Sequence, residues 1–227
     1  MDPASVLDAF RLECRQLGQV MASLSGEEWV RPTACVPWRV CDLLGHVCVV
    51  LAWLPEMLAA EPPTHADVTA ATYYRPDSRF APETNAARID LAQQRAAAHP
   101  DGRTLADDFA ATWQRAEELC RAEPEGRVVR TRHGDAMLLS DFLLTRVVEV
   151  AVHGLDFAAA LQRRPWLTEP AGRLVTELLL GSDGVAAIRQ LGWDRLGFLE
   201  KATGRAPISE AEHAQITGLG IRWLALG

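Results

Sequence analysis

Arg146-Val147-Val148-Glu149-Val150-Ala151-Val152-His153-Gly154-Leu155-Asp156 is a run in which each third or fourth residue is polar and all the others are Val, Leu, Ala or Gly. On a helix, Glu149 and His153 project from one face a turn apart, and Arg146 and Asp156 extend the same stripe. A solvent-facing stripe normally broadens into further charges, whereas this one is narrow and walled by valines, so it is expected to face the interior. A carboxylate buried there without a partner costs several kcal/mol or takes up a proton, so it needs a cation or strong hydrogen bonds.

The matching piece lies a hundred residues earlier, in Trp38-Arg39-Val40-Cys41-Asp42-Leu43-Leu44-Gly45-His46. Val40 to Ala60 reads as a helix that is apolar almost all round, with His46 its lone imidazole. Helical bundles build metal sites from inward-projecting side chains on facing helices, and a His/carboxylate/His set suits zinc and other first-row divalent ions. Three protein ligands would leave one position open, the arrangement in which a bound water or thiol loses its proton. Each piece also has a plainer reading: His46 as a hydrogen-bonded core residue, and Glu149 with His153 as a helical salt bridge.

Around these two segments the pattern is helical. Ser5 to Leu24 carries Val6, Phe10, Cys14, Leu17 and Met21 at helical spacing. Pro62, Pro63, Pro76 and Pro82 mark a long connection between residues 61 and 82, expected to cross the bundle. Asn85 to Ala98 and Leu105 to Ala122 read as two helices or one broken helix. Val128 to Thr131, followed by His133-Gly134-Asp135, reads as a minor strand or hairpin. Ser140 is the expected N-cap of a helix over Asp141 to Gln162, ended by Pro165. Helical pieces follow around Ala171 to Leu180, Trp193 to Ala202 and Ser209 to Ile216. The expected fold class is all-α, a four-helix bundle over residues 1–165 with a C-terminal helical extension, 166–227, packed on it.

With 227 residues, 48% of them hydrophobic and 23% charged, the chain can bury a core without staples. A formal net charge of −7 argues against nucleic acid as a partner and leaves a small-molecule substrate. The acidic start shows no signal peptide, and the longest uncharged apolar run, Val47 to Pro55, is too short to cross a bilayer, so a cytoplasmic protein without a membrane span is expected, monomer or homodimer. Five cysteines without CxxC spacing fit reduced thiols, and Cys41 and Cys48 do not share the face of His46. Lys201 is the only lysine, a composition expected of a GC-rich bacterial source.

Pro37 to Val47 resembles a Trp-x-Val-x-Asp-Leu-Leu-x-His signature, and Arg146 to Asp156 resembles an Arg-x-x-Glu-x-x-x-His-x-x-Asp segment. Both are features of the mycothiol-dependent maleylpyruvate isomerase family, within the DinB-like metalloenzymes. Gly192-Trp193-Asp194 and Thr203-Gly204-Arg205-Ala206-Pro207 are also similar to segments in many members. The resemblance implies a DinB-like bundle with a divalent metal, zinc foremost, on His46, Glu149 and His153. It also implies mycothiol as thiol cofactor or co-substrate, an actinobacterial source, and an isomerase or S-transferase acting on an electrophilic, carboxylate-bearing metabolite. Arg146 is the catalytic candidate, holding a substrate carboxylate or instead orienting Glu149. Asp42 and Asp156 each either orient a neighbouring histidine or serve their helix, and Arg75 and Arg79 either close over an anionic ligand or lie in a solvated loop. The C-terminal part reads as helical additions and not as a second α/β domain, a departure that leaves the substrate open. Two other readings remain: a metal-dependent hydrolase using bound water, and a non-catalytic DinB-like stress or binding protein.

Overall fold

The computed structural model describes residues 2–75, 77, 81–181 and 184–226. Helix α1, Pro3–Ala22, opens where Asp2 accepts the backbone N–H of Ser5 at 2.9 Å and Pro3 occupies the first turn, where a missing N–H costs nothing. Its buried stripe, Val6, Phe10, Cys14, Leu17 and Met21, is the one read from spacing, with Glu13 buried among them. After the short α2, Gly26–Trp29, helix α3 runs over Val40–Leu51 and α4 over Trp53–Ala59. The single helix expected over Val40 to Ala60 is therefore two. Pro55 has no N–H to return to the Leu51 carbonyl, so the regular ladder stops and the chain restarts with Pro55 in the first turn of α4. By length and composition Val40–Ala59 would suit a membrane span, with a mean hydropathy of 1.5, yet 67% of that stretch is buried within the protein.

The long connection carries α5, Ala70–Tyr73, and is pinned by Asp67 and Val68, whose N–H groups both donate to the Ala136 carbonyl, at 2.8 and 3.1 Å. Helix α6 covers Pro82–Ala97 and α7 Gly102–Ala122, two separate helices divided at His99-Pro100-Asp101, with Asp101 capping the second. Strands β1, Val128–Arg130, and β2, Ala136–Leu138, form a small antiparallel hairpin. Helix α8, Leu139–Leu161, begins slightly earlier than expected: Leu138 is its N-cap, not Ser140, because β2 feeds straight into it. It also ends before Pro165, at Gln162 in the left-handed region with φ 56°, where the Arg163 N–H returns to the Ala158 carbonyl at 2.9 Å.

Helices α1, α8, α3 and α7 contact one another in a closed ring, α1 on α8, α8 on α3, α3 on α7 and α7 on α1. That ring is the four-helix bundle. Helix α6 lies outside on α3, so close that a Cβ on Gly45 would stand 2.3 Å from the Ala92 carbonyl oxygen. The remaining helices are α9, Glu169–Leu180, α10, Gly184–Leu191, α11, Arg195–Ala202, and α12, Glu210–Gly218. The α10 segment had no counterpart among the expected helices. Helix α9 packs on α1 and α8 and also contacts α10 and α11, and the Leu224 N–H closes the tail onto the Leu179 carbonyl at 2.8 Å.

Candidate metal centre

Because α3 and α8 are neighbours in the ring, His46 faces the polar stripe of α8 across the bundle interior. His46 and Asp156 are buried at 4% and 3% exposure, and Arg146 at 1%. The Nε2 atoms of His46 and of His153 each stand 3.4 Å from the same oxygen, Oε2 of Glu149. The two imidazole rings are perpendicular, with centroids 5.1 Å apart. A good hydrogen bond between such groups is about 2.7–3.2 Å long. Two donors bound tetrahedrally to one ion at about 2.0–2.1 Å stand about 3.3–3.4 Å apart. The spacing around Glu149 thus fits a shared ion better than it fits direct hydrogen bonding.

The electrostatics agree with that donor set. Burial pushes the Glu149 carboxyl up, but the contacts with His153 and His46 and the charge of Arg146 outweigh it and hold it well below the usual carboxylate range. Burial lowers His46, with Glu149 opposing, so its ring is a neutral imidazole near neutral pH, the form that ligates. Burial also lowers His153, but Asp156, Cys35 and Glu149 overcome this and raise it well above an ordinary histidine. That ring holds a proton which a metal ion would displace.

Asp156 explains the setting of His153. Its Oδ2 lies 2.9 Å from His153 Nδ1. A carboxylate only accepts, so Nδ1 carries the proton and Nε2 is left toward Glu149. Asp42 serves its helix instead. Its Oδ2 accepts the Arg39 N–H at 2.9 Å and caps α3, without a contact to His46.

Arg146 is anchored from several sides. Its Nε and Nη2 donate to Thr145 Oγ1 at 3.2 and 3.1 Å, its Nη1 reaches the Val50 carbonyl at 3.4 Å, and Nη2 lies 3.8 Å from Glu149 Oε1. It also borders a cavity of about 230 Å³ whose floor is His46, Glu149 and His153. Trp38, Trp53, Tyr73 and Tyr74 form aromatic walls, Asn85, Arg88 and His133 add polar groups, and Leu226 reaches in from the tail. Trp38 stacks on His46 with ring centroids 4.8 Å apart, and its Nε1, like Tyr74 Oη, is buried without a hydrogen-bond partner among the described residues. Buried orphan donors of this kind are a cost that a bound polar ligand or water would relieve.

Of the residues singled out from sequence, His46, Glu149, His153 and Arg146 come together at the cavity. Arg75 does not border it and pairs with Asp135 at 2.7 Å, and Arg79 lies outside the described residues. Cys48 is buried and Cys41 touches Asp42, and neither belongs to a possible metal-ligating group among the described residues. Sequence reasoning missed Cys35, whose Sγ donates to Asp156 Oδ2 at 3.3 Å, and Arg205, which chelates the same carboxylate. Spacing along Val40 to Ala60 puts Trp53 on the face of His46, as the cavity bears out, but Tyr73 and Tyr74 were missed, and so was Trp38, although it stands in the quoted signature before His46.

Residues 10–158 match the family model described as the mycothiol maleylpyruvate isomerase N-terminal domain. The chain belongs to this family. The match takes in all three residues around the Glu149 oxygen and stops short of the C-terminal helices, and the family is one of enzymes. Two solved structures share the fold. One is a histidine-to-alanine mutant of the mycothiol-dependent maleylpyruvate isomerase, with a TM-score of 0.55, 17% identity, and coverage of 78% of this chain and 68% of that one. The other is the mycothiol-dependent maleylpyruvate isomerase itself, with a TM-score of 0.53, 18% identity and the same coverage, 78% and 68%. No curated protein matches.

Proposed function

We propose that this member of the family is a divalent-metal-dependent enzyme that uses mycothiol to isomerise or S-conjugate a small electrophilic, carboxylate-bearing metabolite. The observation that carries the reading is the pair of imidazole Nε2 atoms equidistant, at 3.4 Å, from one Glu149 oxygen on the floor of a cavity. His46, Glu149 and His153 would hold the ion, and zinc suits two nitrogens and a carboxylate. A divalent ion held there supplies Lewis acidity, which ionises a thiol near neutral pH.

The chain's own groups do the rest. Arg146 and Arg88 bring positive charge to a cavity of about 230 Å³, which suits a carboxylate and the negative charge that develops when a thiolate adds to a conjugated double bond. On addition the C–S bond forms and the π electrons move onto the conjugated carbonyl oxygen. The former double bond is then single and rotates, and expulsion of the same thiolate restores it in the other geometry. In a transferase the adduct takes a proton and keeps the sulfur. Trp38, Trp53 and Tyr74 wall the site and keep bulk water from quenching the anion. Ligand pockets for whole drug-sized molecules start near about 300 Å³, so this one has room for a small metabolite or the thiol arm of mycothiol, with the sugar portion outside.

The test is a metal-stripped and zinc-reloaded protein assayed by thermal shift with mycothiol, and with small conjugated dicarboxylates in its presence. Zinc-dependent stabilisation by the thiol, by about 2–3 kcal/mol at a hundredfold excess over Kd, is expected. Turnover of ester or amide substrates without any thiol would overturn this reading in favour of hydrolysis.

A further inference from the structure

We propose that Arg205, on the loop between α11 and α12, is a positioning residue that directs the metal ion to the cavity side of His153. The inference rests on the metal reading above and extends it to a part of the chain beyond the matched domain. Arg205 grips Asp156 with two bonds, Nε to Oδ1 at 3.1 Å and Nη2 to Oδ2 at 2.9 Å. Oδ2 is the same oxygen that accepts His153 Nδ1 at 2.9 Å. A guanidinium 49 residues away in sequence thus fixes the carboxylate that fixes the imidazole.

Arg205 is itself held. Its Nη1 donates to the Thr203 carbonyl at 2.5 Å, and its backbone N–H and that of Ala206 both return to the Glu200 carbonyl at the end of α11, at 2.6 and 2.9 Å. Lys201 fastens the far side of the loop, donating to the Pro207 carbonyl at 2.9 Å and to Glu212 at 3.0 Å. The fork is therefore presented by a fastened loop, as is needed if it is to hold the carboxylate behind a ligand in one orientation.

Positioning alone would be an ordinary brace, but a second feature gives Arg205 a selecting role. Among the described residues, two groups of possible ligands share His153: His46, Glu149 and His153 on the cavity side, and Cys35, His153 and Asp156 on the other, each with donor atoms within 4.8 Å of one another. A thiolate and a carboxylate beside an imidazole are good zinc ligands. With Arg205 bidentate on Asp156, both carboxylate oxygens are already bonded to cationic donors, and a metal ion approaching them meets a like charge. Remove the guanidinium and a buried carboxylate at 3% exposure is left short of a cation, next to a thiol 3.3 Å away. The second group then becomes the competitor for the ion.

The experiment loads wild type, Arg205→Lys, Arg205→Gln and the double variant Arg205→Gln/Cys35→Ser with Co(II) and Zn(II). It reads affinity by chelator competition, the cobalt absorption spectrum, and the melting temperature of each metal-free protein. Wild type should bind one ion with no thiolate-to-cobalt charge-transfer band. Arg205→Gln should bind in the cavity roughly 10–100-fold more weakly, the range found when groups orienting a ligand are lost. It should also gain the charge-transfer band, which Cys35→Ser abolishes. Lysine keeps one charge but not the two-point grip, so Arg205→Lys should fall between, and it stands in if the glutamine variant does not fold. Unchanged affinity and spectrum in both single variants, with wild type loaded normally, overturn this inference and leave the metal centre standing. No ion in wild type, or a thiolate band there, overturns both.

Discussion

Glu13 and Glu149, both on helices of the bundle and both desolvated, behave in opposite ways. Glu13 on α1 is 1% exposed and meets Thr168, which donates its N–H at 3.0 Å and its hydroxyl at 2.5 Å to one oxygen. With no cation beside it among the described residues, burial wins over those bonds and raises its pKa to about 7. Glu149 on α8 keeps 23% of its side chain exposed but is desolvated as well, yet two imidazoles and Arg146 hold it well below the carboxylate range. Two neutral donors only moderate the desolvation of Glu13, while contacts with two imidazoles, together with the charge of Arg146, reverse that of Glu149. The contrast separates a carboxylate met by neutral donors alone from one met by two imidazoles and a guanidinium.

Substitution at Glu149 should have the largest effect. Glu149→Gln keeps the shape and removes the charge, and should lower zinc affinity by more than about 100-fold, beyond the range for groups that merely orient ligands. Titration calorimetry of the metal-free protein checks it, and retention of wild-type affinity would erase the distinction between the two glutamates.

At Glu13 the same change should act on stability instead. A carboxyl whose folded pKa is raised, from 4.5 to about 7, gives stability that is complete below pH 4.5 and is lost as pH rises through about 7. Glu13→Gln removes that loss, so at pH 8 it should be more stable than wild type by about 1–3 kcal/mol, with the advantage vanishing near pH 4.5. Urea melts across that interval would show it, and a variant weakened equally at both pH values would mean that Glu13 is ionised and needed. Thr168→Val should act least. Loss of its hydroxyl donor destabilises by about 1 kcal/mol and moves the Glu13 titration upward, readable as a later fall in the stability–pH curve.

The two glutamates also mark what was legible in the sequence. The α8 stripe could be read because both polar groups and their valine flanks lie on one helix, where period alone fixes which face they share. His46 was legible for the same reason on α3. The break at Ala52 was within reach, since Pro55 announces it, although Pro62 and Pro63 offered a more obvious stop. The start of α8 at Leu139 was not, because Ser140 looks like a better cap than Leu138 until the β2 strand running into it is known. Cys35 and Arg205 meet Asp156 across 121 and 49 residues, and no local pattern encodes such contacts. Glu13 was hidden too, since one acidic residue in an amphipathic helix reads as a surface group until α9 and the Thr168 loop cover it.

X-ray absorption at the zinc edge, on zinc-loaded protein without added thiol, sees the ligands of the proposed metal centre themselves. Coordination by His46, Glu149 and His153 predicts nitrogen and oxygen neighbours alone at about 2.0–2.1 Å, with the more distant scattering of two imidazole rings. A sulfur neighbour at about 2.3 Å, or zinc that washes off without defined neighbours, would contradict it.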